Sequence, residues 1–600
     1  MCGIIGYTGN DKAGEILITG LKRLEYRGYD SSGIALLGKT INCFKYEGKV
    51  KILDENLTKK SPPETVGIGH TRWATHGEPS DINSHPHLSN GGKIALVHNG
   101  IIENYMELKS FLCNEGYDFF SETDTEVAVN LIEYYYKKHN NLVEAIRIAT
   151  KEMVGHFSFG IICEDLPETI LGIRRQNPLV VGIGKDCNFI ASDFTPALEH
   201  TKDFYLLDEE EIVVINKTDI RILNEENKEV NKDVYHVDWG IESAEKSGYE
   251  HFMLKEIFDQ PNAVRDTIHA NINKTLLDED YIKKISKIHI VACGSALHAG
   301  FAAKRIIERL AKIPAECYYA SEFRYQLPLL SKNDLCIIIS QSGETADTLA
   351  ALREARKNGV KTLSVVNVRG STIARETDVC MYIQAGVEIA VATTKAYSAQ
   401  LAALYIIAVN LAKNRGLLEK AHEDKLHKEL LGLPGKIEFL LTQAEEIKEL
   451  AEKYSKSFNG FLIGRGIDYA AAMEGSLKLK EISYIHSEAY PAGEMKHGTI
   501  SLIENGTLVI AVITQSNVAE KTFSNLQETV ARGASCFIIT TEALKNQHSD
   551  YPTVIIPETD EYFMASLIAV PLQFFAYYSA LLRNCDIDMP RNLAKSVTVE

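Results

Sequence analysis

A repetition inside the second half constrains this chain more than any other feature. IHIVACGSALHAG, beginning at Ile288, returns as FLIGRGIDYAAAM, beginning at Phe461. IIISQSGETADTLAALREARKNGV returns as AVITQSNVAEKTFSNLQETVARGA, and VATTKAYSAQLAALYIIAVNLA as FMASLIAVPLQFFAYYSALL. Spacing within the copies is nearly constant: Gly294 to Ser340 spans 46 positions and Gly466 to Thr514 spans 48. Uncharged strands run straight into helices in both copies. Such strands are buried on both faces, which requires a parallel sheet with helices on either side. Two tandem α/β doubly wound domains are predicted, at 285–425 and 455–585.

The first 240 residues read differently. GIIGYTG, SSGIALLG, GIGHTRWATHG, KIALVHNGII and FSFGIIC are short β-rich runs punctuated by glycine, with helices such as TDTEVAVNLIEYYYKKH between them. An α+β layered domain is predicted over 1–240. GIESAEKSGYE then mixes glycine, serine and charge without periodicity, so 241–284 reads as a linker and lead-in helix. A short tail, 586–600, follows the second copy.

A chain of 600 residues exceeds one hydrophobic core, in keeping with several domains. Its net charge of -17 excludes a diffuse nucleic-acid footprint but leaves room for local basic pockets. The 11 cysteines are scattered, with no C-x-x-C pair, as expected of reduced thiols in the cytoplasm. MCGIIGYTG has neither a charged n-region nor a long apolar h-region, so no secretory signal is expected. Residues 563–582 carry no formal charge over roughly a bilayer's span. Pro571, Gln573 and Tyr577–Tyr578 interrupt them, and the repeat maps them onto a sheet-covering helix, so a buried core helix is expected rather than a membrane span.

Cys2 follows the initiator methionine. Once Met1 is removed, one residue holds a thiol and a free amine able to accept its proton. Around it in sequence stand polar, glycine-punctuated segments: R27-G-Y-D-S-S-G33, G69-H-T-R-W-A-T-H-G77 and H98-N-G100. The last offers a side-chain amide and a backbone N–H to one oxyanion. S121-E-T-D-T-E126 opens a helix, where acids either cap the N-terminus or hold a ligand's ammonium. His70, His76, His85 and His87 are irregularly spaced and no cysteine or carboxylate completes a shell, so no metal is expected.

Cys2-Gly-Ile, R-G-Y-D-S-S-G, H-T-R-W-A-T-H-G and H-N-G, in that order, resemble the N-terminal-nucleophile glutaminase domain of class II amidotransferases. The resemblance implies an αββα fold in which Cys2 attacks the side-chain amide of glutamine with its own amine as base. It assigns Asn99 and the Gly100 N–H to the oxyanion, Arg72 to the substrate α-carboxylate and Asp124 to its α-ammonium. Trp73 and the Thr75-His76-Gly77 loop would close over the site.

In the first repeat, S340-Q-S-G-E-T345 joins an apolar strand to a helix, and its hydroxyls with the free N–H groups of the helix start make a phosphate cradle. The second copy reads T514-Q-S-N-V-A519 and lacks the glycine and the last hydroxyl. The two copies resemble tandem sugar-isomerase (SIS) domains. By that resemblance Ser340, Gln341, Ser342 and Thr345 hold a sugar phosphate, and Ser295 and Thr393 line the same pocket. Glu481 is the base moving a proton between C1 and C2, Lys478 supports the enolate-like oxygen, His497 opens the ring and Lys595 forms a Schiff base with the ketone. On spacing alone Lys478 and Glu481 read as a helical ion pair, and Lys595 as a solvated tail charge. Ala296 stands where these domains usually carry another hydroxyl, and Thr393 where serine is common.

Together the resemblances imply transfer of nitrogen from glutamine to fructose 6-phosphate, giving glucosamine 6-phosphate for hexosamine biosynthesis. They imply no redox cofactor or metal, no nucleic-acid or membrane partner, and a cytoplasmic homodimer. Three alternatives stay open: another phosphorylated acceptor, a phosphosugar-binding regulator with a vestigial glutaminase, and isomerisation without amination.

Overall fold

The structure, a computed structural model, describes residues 2–60, 62–237, 246–545 and 550–598. The chain divides into two compact units, Met1–Ser243 with Ala594–Glu600, and Ala244–Leu593.

In the first unit the buried strand Gly3–Thr8 lies between Val66–Arg72 and Asn188–Ala191, antiparallel to both, in an eight-stranded sheet. A six-stranded sheet built on Ile94–Ile102 and Gly155–Cys163 stacks against it. Strand alternation explains the layering. Ala95 and Val97 share a core with Ile4, Ile68 and Val181 of the other sheet, whereas Ile94 and Leu96 pack on helices α1 (Asp124–His139) and Leu142–Glu152. With Ala13–Leu24 packed against the first sheet, the order is the expected αββα. The H-N-G segment falls inside strand Ile94–Ile102.

The second unit holds two five-stranded parallel sheets of identical order. In each, the first strand lies between the second and third, and the fourth and fifth follow outward. The first strands are Ile288–Ala292 and Asn459–Gly464; the third are Leu335–Ser340 and Leu508–Ile513. Helices α2 (Gly294–Leu310), α3 (Ala346–Lys357) and α4 (Lys395–Asn414) belong to the first copy. Helices α5 (Ile467–Ser483), α6 (Ala519–Val530) and α7 (Met564–Leu582) belong to the second. Order reverses between first and third strands, and a crevice opens there at their carboxyl ends. Gly294 and Gly466 turn the chain into α2 and α5 with φ of +54° and +62°, a left-handed conformation suited to glycine.

The uncharged stretch forms α7. Of the helices among the described residues it alone is long and apolar enough to cross a membrane, and 89% of that segment is buried within the unit. It packs along α5, and Ser566 donates a 3.2 Å hydrogen bond to Tyr405 of α4.

The segment expected as linker and lead-in helix departs from that reading. Residues 238–245 lie outside the described residues, but the remainder forms three helices, Phe252–Phe258, Gln260–Asn271 and Glu279–Lys284. Met253, Ile257, Val264 and Ile268 join the same core as the parallel strands. Their apolar faces are too short to read as periodic, yet they close the second unit's core.

Candidate active site

Cys2 immediately precedes the central strand of the first unit. Its thiol donates to the Trp73 carbonyl at 3.4 Å, and the Trp73 N–H donates back to sulfur at 3.3 Å. Burial pushes the thiol up, opposed by the Trp73 N–H and the Arg72 charge. The Asp30 carboxylate of R-G-Y-D accepts from the Ala74 N–H at 2.9 Å, and the Asp30 N–H donates to the Arg72 carbonyl at 3.0 Å, which fixes the chain beyond the strand.

His70 and Arg72, two apart on one strand, face the same side. Arg72 is 3% exposed and donates through Nη2 to the carbonyls of His76 and Gly77. Its Nη1 is buried with no hydrogen-bond partner among the described residues. Buried guanidinium N–H groups are rarely left so, and a carboxylate would satisfy it in a forked geometry. Burial lowers the Arg72 pKa, while Cys2, Asp124 and Asp30 support its charge.

His70 Nε2 lies 2.8 Å from the His98 carbonyl and 3.1 Å from Asn99 Oδ1. A carbonyl only accepts, so Nε2 carries the proton, Asn99 presents its oxygen to His70, and its NH2 points elsewhere. Asn177 Nδ2 donates to the Asn99 carbonyl at 2.8 Å. Gly100 has φ of +128°, and a Cβ there would sit 2.0 Å from the His156 carbonyl. Asp124 is the first residue of α1, which Thr123 caps through the Glu126 N–H. One Asp124 oxygen accepts from the Ile102 N–H at 2.9 Å, and the other lies 3.9 Å from His98 Nδ1. His70 links to Asn99 and His98, and His98 lies beside Asp124, while Cys2 and Trp73, both half-buried, pair next to Arg72 on the same strand end as His70. Thr75 is exposed, while His76 and Gly77 are half-buried on the loop that Arg72 holds. Among the described residues, no group of three or more metal-ligating side chains is arranged around a cation position.

In the second unit, Ser340 Oγ and Thr345 Oγ1 are 3.0 Å apart, the Gly343 N–H donates to Ser340 Oγ at 3.0 Å and the Glu344 N–H to Ser342 Oγ at 3.2 Å. Thr345 stands at the N-cap of α3 without capping it, so its hydroxyl stays in the loop. Gln341 adjoins them at the end of the third strand. Two expected pocket residues are otherwise engaged. Ser295 donates to Glu474 at 2.8 Å, and Thr393 donates to the buried Glu388, whose other oxygen accepts from the Thr394 and Ala396 N–H groups.

Glu474, Lys478 and Glu481 share one face of α5. Lys478 Nζ pairs with Glu481 and lies 3.4 Å from Glu474; both Lys478 and Glu474 side chains are 1% exposed. Burial opposes the ammonium, but Glu481 and Glu474 outweigh it and raise the Lys478 pKa. His298 of α2 lies 2.8 Å from the second Glu474 oxygen, so Glu474 ties the two copies together. Among the described residues no hydrogen bond or ion pair joins His497, exposed at the end of the turn Ala492–His497, to this group. Lys595 falls in the tail segment that groups with the first unit.

The sequence pattern of the SIS domain matches residues 281–410 and 453–583, and that of the glutamine amidotransferase domain matches 70–198. A glutamine–fructose-6-phosphate aminotransferase (isomerizing) of Clostridium tetani is 50% identical over the full length of both chains, and its namesake from Methanosarcina acetivorans is 46% identical, again over both full lengths. The chain belongs to the glutamine–fructose-6-phosphate aminotransferase family. The solved C-terminal domain of glucosamine-fructose-6-phosphate aminotransferase from Francisella tularensis is 38% identical with a TM-score of 0.56, covering 58% of this chain and 100% of that one. Membership gives the two halves their order: an amidotransferase domain, then two SIS domains.

Sequence reading missed His70, His98 and Glu474 as members of these sites. Both histidines lay within quoted motifs, and Glu474-x-x-x-Lys478-x-x-Glu481 has the spacing that puts three groups on one helical face.

Proposed function

We propose that this chain converts glutamine and fructose 6-phosphate into glutamate and glucosamine 6-phosphate, with Cys2 as the glutaminase nucleophile. Full-length identity to glutamine–fructose-6-phosphate aminotransferases carries the reading. The Cys2 amine accepts the thiol proton, sulfur attacks the side-chain carbonyl, and Asn99 with the Gly100 N–H holds the oxyanion. Ammonia leaves, and water releases glutamate from the thioester. Arg72 takes the α-carboxylate and Asp124 the α-ammonium, while Trp73, Thr75, His76 and Gly77 cover them. The unpartnered Arg72 Nη1 supports this placement.

On the sugar side, Ser340, Gln341, Ser342 and Thr345 bind the phosphate. His497 opens the ring, Lys595 forms a Schiff base with the open ketone, and ammonia replaces it at C2. Glu481 moves the proton from C1 to C2, and Lys478 stabilises the oxygen that gains negative charge. Ser295 and Thr393 line the pocket through Glu474 and Glu388 respectively. The eleven cysteines are all free, which supports a reducing cytoplasmic setting. The same reading expects a homodimer, which sedimentation would test.

The test is glutamine-dependent formation of glucosamine 6-phosphate beside Cys2→Ala and a panel of phosphorylated acceptors. Cys2→Ala should lose glutamine-driven synthesis and keep sugar isomerisation; retained synthesis would overturn the nucleophile. Preference for another acceptor would overturn the substrate. Borohydride with fructose 6-phosphate should trap an adduct on Lys595, and an adduct elsewhere removes that role.

A further inference from the structure

The two copies treat the same crevice differently. Aligned on Gly294 and Gly466, Asp468 in the first turn of α5 stands where the first copy has Ala296. Asp468 is 1% exposed. One carboxylate oxygen accepts from the Thr514 N–H at 2.9 Å and from the Gln515 N–H at 3.4 Å, and the other accepts from the Thr514 hydroxyl. Thr514 and Gln515 are the counterparts of Ser340 and Gln341. These donors lie 46 and 47 residues away, so the bonds do not cap the helix that carries Asp468. They join the chain after the first strand to the chain after the third, across the crevice where doubly wound folds bind ligands.

Resting on the reading of the first copy's Ser340–Thr345 loop as a phosphate cradle, we infer that Asp468 is a resident anion. Its carboxylate occupies the oxyanion position of the second copy, closes a latent phosphate site, and restricts each chain to one phosphosugar site. In the first copy the corresponding side chain, Ala296, is a methyl group, so no carboxylate of the chain reaches the Ser340–Thr345 loop from that position. The positive ends of α5 and of the turn leading into α6 favour an anion in the second crevice, which Asp468 supplies from within the chain. Burial pushes its carboxyl up to about 7, and the Thr514 and Gln515 hydrogen bonds pull against that rise.

Asp468→Ala restores the first copy's residue. Calorimetric titration of the full chain with inorganic phosphate should count one phosphate per unaltered chain and two per Asp468→Ala chain. Ser342→Ala should remove the first of these, and Asp468→Ala with Ser342→Ala should retain one. A count that stays at one in Asp468→Ala, while Ser342→Ala abolishes it in the unaltered chain, overturns the inference and leaves the first cradle standing. A count in the unaltered chain insensitive to Ser342→Ala overturns the first cradle, and the inference with it. If Asp468→Ala folds poorly, Asp468→Ser takes its place, and phosphate should raise its melting temperature more than chloride of equal ionic strength. A melting temperature equal in both salts marks Asp468 as a structural brace only.

Discussion

His70 Nε2 donates to Asn99 Oδ1 at 3.1 Å, reaching from one sheet of the first unit to the other, and to the His98 carbonyl at 2.8 Å. Burial lowers the His70 pKa to about 3, so the ring is neutral at working pH and holds one tautomer against two acceptors. An amide flip in Asn99 would set its NH2 against the His70 N–H and lose the bond.

His70→Leu frees that amide. Loss of one oriented oxyanion donor lowers turnover about 10²–10³-fold. We expect kcat for glutamine hydrolysis to fall by that order with a much smaller change in KM, because Arg72 and Asp124, the proposed substrate-binding groups, are untouched. Steady-state kinetics of glutamate release would show it, and an equal loss carried in KM would contradict the orienting role.

Gly100→Ala places a methyl group 2.0 Å from the His156 carbonyl at a φ of +128°. Backbone strain of about 1–3 kcal/mol adds to that clash. The expected outcome is loss of glutamine-driven synthesis and a lower melting temperature for the first unit, with sugar isomerisation unchanged in the same preparation.

Acid should destabilise the first unit through its buried histidines. Burial lowers His70 to about 3 and His98 to about 4, and lowers His85 and His87 well below the ordinary 6.5; the His70 and His85 rings stack 4.2 Å apart. Between the folded and unfolded values the unfolded chain binds more protons, so stability rises with pH. It is complete above about 6.5 and is lost as pH falls towards 4, with a slope of about 1.4 kcal/mol per pH unit for each histidine. Chemical denaturation from pH 7 to 4, compared with His85→Phe, should show a shallower dependence in the variant.

Glu474→Gln removes a buried partner of Lys478, Ser295 and His298 together. Breaking a buried ion pair costs about 3–5 kcal/mol, and replacing both members with apolar groups restores much of it. Glu474→Gln should lower the second unit's melting temperature and abolish isomerisation while glutamine hydrolysis persists. Glu474→Met with Lys478→Met should recover stability but not activity.

How much of this was legible in sequence depended on how far apart the partners are. The repeat announced both parallel sheets because each copy rehearses the other; short glycine-punctuated strands announced an α+β layered domain, and its αββα order was what the resemblance to the class II glutaminase domain implied. Cys2, Arg72, Asn99 and Asp124 could be singled out as candidates because each lies in a compact polar motif. Glu474 was not, because its meaning lies in Ser295 and His298, 179 and 176 residues away. Asp468 escaped for the same reason: a carboxylate in a helix's first turn reads as a dipole partner until Thr514 is beside it. The lead-in segment was read as a linker with one helix, and its three short helices escaped because the core they cover comes later in the chain.

Glu474 of the second copy bonded to Ser295 of the first also bears on how this chain can change. Neither repeat alone holds both the hydroxyl loop and the carboxylates, so the copies are no longer spares for one another. A crossover between their similar DNA segments that deleted one repeat would leave a single doubly wound sheet with half of the chemistry.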